Sequence, residues 1–129
     1  MGSSRNVVIT TTARSNLVRA RAGDLTLPPI VGIALGDGGV DSSGEPVPPS
    51  QDQTTLTHEL LRKPVNTHTY PSATTCRYEC VLTGSELAGI KISELGLYDS
   101  EGDMVCIKTF YEKRRDEEIE MTFTVDDEF

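Results

Sequence analysis

Thr75-Cys76-Arg77-Tyr78-Glu79-Cys80-Val81-Leu82 alternates in a way that one backbone geometry explains. In an extended chain successive side chains point to opposite faces, so Cys76, Tyr78, Cys80 and Leu82 share one face while Arg77, Glu79 and Val81 share the other. The stretch predicts a strand buried on one side. Toward the C-terminus, Gly84 precedes Ser85-Glu86-Leu87-Ala88, which suits one helical turn, and Ile90, Ile92 and Leu95-Gly96-Leu97-Tyr98 return to extended spacing. Asp99-Ser100-Glu101-Gly102 is a turn sequence. Residues 104–110 predict the returning strand, and residues 111–118, dense in both charge signs, a solvated tip. Ile119, Met121, Phe123 and Val125 then alternate with Glu120, Thr122, Thr124 and Asp126, which closes the sheet.

Toward the N-terminus, Leu56, Leu60 and Leu61, with Thr54-Thr55 ahead and Pro64 behind, fit a helix of about two turns. Its exposed side would carry His58, Glu59 and Arg62. Between Gly36 and Gln53 glycine, proline and serine recur so often that an open loop is expected, long enough to have a function. Ile30-Val31-Gly32-Ile33-Ala34-Leu35, bounded by Pro28-Pro29 and Gly36-Asp37-Gly38-Gly39, suits a buried strand. Ala13, Leu17 and Ala20 recur at helical spacing, with hydroxyl residues ahead and Gly23 behind, and predict a short amphipathic helix. Extended segments joined by short turns imply antiparallel pairing. The expected class is α+β: a mainly antiparallel sheet, two or three short helices and a long Gly/Pro/Ser loop. A chain of 129 residues suits a single domain, 1–129.

Composition narrows the function. Twenty acidic against twelve basic residues give a net charge of −8, which disfavours nucleic acid and anionic membrane surfaces as partners. No apolar run approaches the roughly 18 residues of a spanning helix, and residues 1–12 lack a basic region followed by an apolar stretch, so the chain is expected to be cytosolic when made. Three cysteines, Cys76, Cys80 and Cys106, are an odd number and point to reduced thiols. Cys76 and Cys80, four apart on a strand, stand about 13 Å from each other, too far to share one zinc ion, even with His58 or His68 nearby. Gly36-Asp37-Gly38-Gly39 follows a strand as phosphate loops do, yet no Gly-Lys-Ser/Thr follows it. A tight turn needing positive φ is the expected reason for these glycines. Neither histidine sits in a nucleophile–base pattern, and the carboxylate runs 116–118 and 126–128 suit solvated surface. No enzyme activity, metal or cofactor is expected.

The order of motifs resembles the N-terminal domain of the phage tail-collar fibre family. The resemblance rests on Ile9-Thr10-Thr11 with Ala13, on the strand ending at Gly36-Asp37-Gly38-Gly39, on Leu56, Glu59 and Arg62, and on Glu94-Leu95-Gly96-Leu97-Tyr98-Asp99 with Gly102 beyond it. It spans nearly the whole chain. The resemblance implies a structural part of a contractile phage tail or related injection particle, attaching a fibre to the baseplate. Baseplate and tail-fibre proteins would be its partners, the virion its location and a homo-oligomer, a trimer, its state. Physically, Gly96 allows close backbone approach, Leu95 and Leu97 pack, Tyr98 offers an amphipathic contact and Asp99 opens a turn. The hexapeptide and Gly36, Asp37, Gly38 and Gly39, with Glu59 and Arg62, are therefore candidates for structural support or interface. Family members continue into a shaft and tip. Asp126-Asp127-Glu128-Phe129 starts no heptad or shaft repeat, which favours a free-standing adaptor over an attachment domain of a longer fibre. The alternative reading is a small carbohydrate- or ligand-binding module, against which the scarcity of aromatic residues counts.

Overall fold

The computed structural model describes residues 6–129. The first five residues of the opening stretch read above lie outside them. In chain order the elements are β1 (Val7–Ile9), α1 (Thr11–Arg21), β2 (Ile30–Gly36), β3 (Glu59–Pro64), β4 (Thr67–Ser72), β5 (Thr75–Leu82), β6 (Lys91–Asp99), β7 (Met104–Arg114) and β8 (Met121–Glu128). A five-stranded sheet in the order β1-β7-β6-β2-β3 faces a three-stranded sheet in the order β4-β5-β8, and every pairing is antiparallel.

The alternation that opens the sequence reading sets how the sheets meet. Cys80 and Leu82 on β5 and Phe123 and Val125 on β8 interdigitate with Ile33 and Leu35 on β2, Leu95 and Leu97 on β6 and Cys106 on β7. Burying apolar faces from both sheets gives a sandwich core. On the far side of the five-stranded sheet Ala34 and Ile107 join Met104 and Leu56 in a second, smaller cluster. Residue Leu56 belongs to the long connection 37–58, so this connection roofs the sheet's outer face. Lys63 ties the edge strand β3 to the other sheet: its ammonium donates to the Val81 carbonyl at 2.8 Å and to Glu86 at 2.7 Å. That ion pair and the Thr83 amide hold the Glu86 carboxyl below the usual range.

The expected α+β class does not hold. Among the described residues there is one helix, of 11 residues, against eight strands, so the domain is nearly all β. That helix is the amphipathic one expected at residues 11–23; Thr10 caps it by accepting from the Ala13 amide and also donates to the Met104 carbonyl at 2.7 Å. The second expected helix, at Leu56 to Leu61, is instead the end of the connection 37–58 and the start of β3. Leucine spacing fits a helical face equally well, but pairing with β2 satisfies this segment's backbone, and Pro64 is harmless at the end of an edge strand. Around Ser85 to Ala88 the chain makes overlapping turns rather than a helical turn, with Leu87 at φ 52°. The solvated tip is shorter than expected. Strand β7 runs on to Arg114, Arg115 is buried, and Ile119 is exposed outside β8.

Candidate functional site

The glycine cluster at 36–39, Glu59, Arg62, Glu94 and Tyr98 lie far apart along the chain yet meet on the outer face of the five-stranded sheet, whereas Leu95 and Leu97 face the core and Ile9-Thr10-Thr11 lies at β1 and the start of α1. Strand β6 carries the hexapeptide, with β2 on one side and, beyond it, β3. A register shift between Ile92 and Glu94 turns both Ser93 and Glu94 toward the connection 37–58. Both residues are fully buried.

Glu94 is the centre of this arrangement. Its Oε2 accepts the Gly38 and His58 amides, both at 2.8 Å, and its Oε1 accepts the Thr57 amide at 2.8 Å. Ser93 Oγ accepts the Gly39 amide at 2.9 Å. One carboxylate thus gathers the start of the connection, at the Gly-Asp-Gly-Gly cluster, and its end, just before β3. Three aligned N–H dipoles take the place of water around the buried charge.

The glycines are needed here for closeness and not for φ. None of Gly36, Gly38 and Gly39 has a positive φ, contrary to the expected tight turn. A Cβ on Gly36 would fall 2.3 Å from the His58 carbonyl oxygen, and one on Gly39 would fall 2.1 Å from that of Ser93. Both obstacles are backbone, so neither can move aside cheaply.

Glu59 and Arg62 form a second focus with Tyr98. The Arg62 guanidinium donates to Glu59 at 2.8 and 3.3 Å and to the Gly102 carbonyl at 3.0 Å, and it stands 4.8 Å from the centre of the Tyr98 ring. The Tyr98 ring lies directly over Gly32, where a Cβ would come within 2.2 Å of it. Asp99 is buried, and its Oδ1 accepts the Glu101 and Asp103 amides at 2.9 and 3.0 Å, which fixes the turn into β7. Leu95 and Leu97 face the core, while Gly96 lets Met104 and Leu56 pack on the opposite face.

The expected open loop is in fact strapped down. Asp41 Oδ1 accepts from the Ser43 hydroxyl and from the Ser43 and Glu45 amides, Tyr111 donates to Glu45, Thr109 donates to the Val47 carbonyl, and the Thr11 amide donates to the Gln51 carbonyl. Asp37 pairs with His58 Nδ1 across the two ends of the strap. That exposed contact raises the His58 pKa above 6.5, through the hydrogen bond first and the Asp37 charge second. The sign follows: the contact's stabilisation is full below 6.5 and is lost as pH rises through the raised value. A proton NMR titration is expected to find the His58 midpoint above 6.5 and to return it toward 6.5 in Asp37→Asn; an unchanged midpoint would contradict the pairing.

No catalytic chemistry follows from these groups. Burial raises the Cys80 thiol and pushes the Cys106 thiol up to about 12, which keeps both protonated near neutrality. Among the described residues no three His, Cys, Asp or Glu side chains gather as metal ligands. No described helix is long and apolar enough to cross a membrane. Sequence reasoning missed Glu94 as the anchor and Arg115 as a buried cation; a lone glutamate between Ile92 and Leu95 in a buried strand was the available signal for the first.

Compared with known proteins, residues 1–123 match the family described as phage tail-collar fibre protein, N-terminal. No curated protein gives a match. With that match covering nearly the whole length, the chain belongs to the family of N-terminal domains of phage tail-collar fibre proteins.

Proposed function

We propose that this single domain fixes a receptor-binding fibre to the baseplate of a contractile tail or related injection particle, as a homotrimer and without enzymatic activity. Family membership gives the coarser part: a structural role in a phage tail fibre, a place in the virion tail and association with other tail proteins. The observation that carries the finer reading is the convergence of the Gly38, Gly39, Thr57 and His58 amides on the buried side chains of Ser93 and Glu94. Such a network holds a long surface connection rigid, and a preorganised surface suits lasting attachment to a partner better than turnover. The domain would serve at the head of a longer fibre or as an adaptor between baseplate and fibre.

A small-ligand module is the second reading, favoured by one aromatic group. His68 lies 5.8 Å from Tyr70 and 5.9 Å from Tyr78 between ring centres, and Tyr70 is largely exposed. Light scattering over a wide concentration range separates the two readings. A stable species of three times the 14.1 kDa chain mass is expected. A monomer at every concentration would overturn self-association by this domain and put the ligand-binding module ahead.

A further inference from the structure

One end of the sandwich holds a cavity of about 140 Å³ between α1, the segment 27–30, β1, β7 and the end of β8. Its walls are mostly apolar, with Ile9, Leu17, Leu27, Ile30 and Val105 among them. Asn16, Asp99 and Asp127 are its polar members, and Asp127 stands out among them. On β8 it continues the inward row of Phe123 and Val125, pairing in register with Cys76 as they pair with Cys80 and Tyr78. An apolar residue would suit that position. The Oδ1 of Asp127 is instead buried with no hydrogen-bond partner among the described residues. Asp99, which also lines the cavity, differs, because its Oδ1 is occupied by two turn amides.

A buried acceptor without a donor is destabilising, by the full desolvation penalty of the group. With Oδ1 shut in, the carboxylate can be met from the cavity only at its other oxygen, and the natural complement there is a group that brings a donor and a positive charge on an apolar stem, the chemistry of a basic side chain. The mouth of the cavity narrows the source. Leu27 is 45% exposed and Phe129 72% exposed, and both line the cavity. A small free cation would leave that rim in water, whereas a polypeptide lying across the mouth would cover it.

We propose that this cavity is the socket for an arginine or lysine side chain of a partner tail polypeptide, whose methylenes fill the apolar walls, whose cationic head meets Asp127 and whose flanking apolar residues cover Leu27 and Phe129. This rests on the attachment role proposed above and names the chemistry of the partner's anchor.

The test uses the whole domain and three probes: capped Leu-Arg-Leu, capped Leu-Met-Leu and n-butylguanidinium, titrated by NMR while the methyl groups of Ile9, Leu17 and Val105 are followed. Saturable binding of Leu-Arg-Leu is expected. Butylguanidinium should bind about tenfold more weakly, because it leaves the apolar rim at Leu27 and Phe129 uncovered. Leu-Met-Leu should bind at least about tenfold more weakly, because it lacks the charge-assisted hydrogen bond. Asp127→Asn should weaken Leu-Arg-Leu to a similar degree with no fall in melting temperature, and Ala13→Leu, which fills the cavity from the helix, should block it. No saturable binding of Leu-Arg-Leu, equal binding of Leu-Met-Leu, or undiminished binding to Asp127→Asn would overturn the socket. Butylguanidinium binding as tightly as Leu-Arg-Leu would overturn the polypeptide in favour of a small cation. Whether particles lacking the domain keep their fibres is decided separately, so failure of the socket and failure of the attachment role can be told apart.

Discussion

Glu94→Ala is expected to lower the unfolding free energy by about 3–5 kcal/mol, the larger of the two strongest effects foreseen for this domain. Truncation leaves the amides of Gly38, Thr57 and His58 without their acceptor in a place with little room for water. Each orphaned donor costs about 1–3 kcal/mol, and partial opening of the strap recovers some of that. Glu94→Gln should cost less, about 2 kcal/mol, because the amide oxygen can still accept while its NH₂ group opposes at least one donor. Urea denaturation measures both losses. Hydrogen exchange locates them: the Gly38, Gly39, Thr57 and His58 amides should lose protection well before amides of β5 and β8. A Glu94→Ala protein within about 1 kcal/mol of the parent would show that the strap does not depend on this carboxylate.

Arg115→Ala is expected to cost about 3 kcal/mol, from a residue that sequence alone places on a solvated tip. Its side chain is 1% exposed, and the guanidinium donates to the carbonyls of Asp116, Ile119 (2.7 Å) and Gly84 (2.8 Å). Among the described residues no carboxylate forms an ion pair with it and Nε has no partner; carbonyl oxygens accept its hydrogen bonds, and the Glu86 charge acts on it from farther away. The residue thereby joins the end of β7 to the turns before β6 and to the approach of β8. Removing it leaves the Gly84 and Ile119 carbonyls without this donor, while the Asp116 carbonyl keeps the Ile119 amide, and it opens a void. Arg115→Lys should recover only part of the stability, because an ammonium cannot span the same fork of acceptors. Equal stability of Arg115→Ala and the parent would mean that water replaces the guanidinium without loss.

These two residues also mark where the sequence is legible. Strands β5 to β8 follow from alternation and turn residues, because their apolar faces meet one core and period two leaves little choice of which side faces in. Segment 56–64 defeats that approach. Three leucines within six residues fit a helix as well as an edge strand, and only pairing with β2 decides between them. The motif residues were visible as a set, yet their joint purpose was not, because Glu94 acts on amides 36 to 56 positions away. Arg115 was hidden by its neighbours: Lys113, Arg114, Asp116 and Glu117 make it look like one charge among many. Asp127 was hidden likewise in the acidic run of residues 126–128, although its place in the alternation with Phe123 and Val125 was there to read.

The attachment role is tested most directly by electron microscopy of tail particles assembled with and without residues 1–129, counting those that carry fibres. Without the domain, tails should assemble normally and lack fibres, while the fibre protein remains present in the lysate. Tails that carry fibres in undiminished number without it would contradict attachment through this domain.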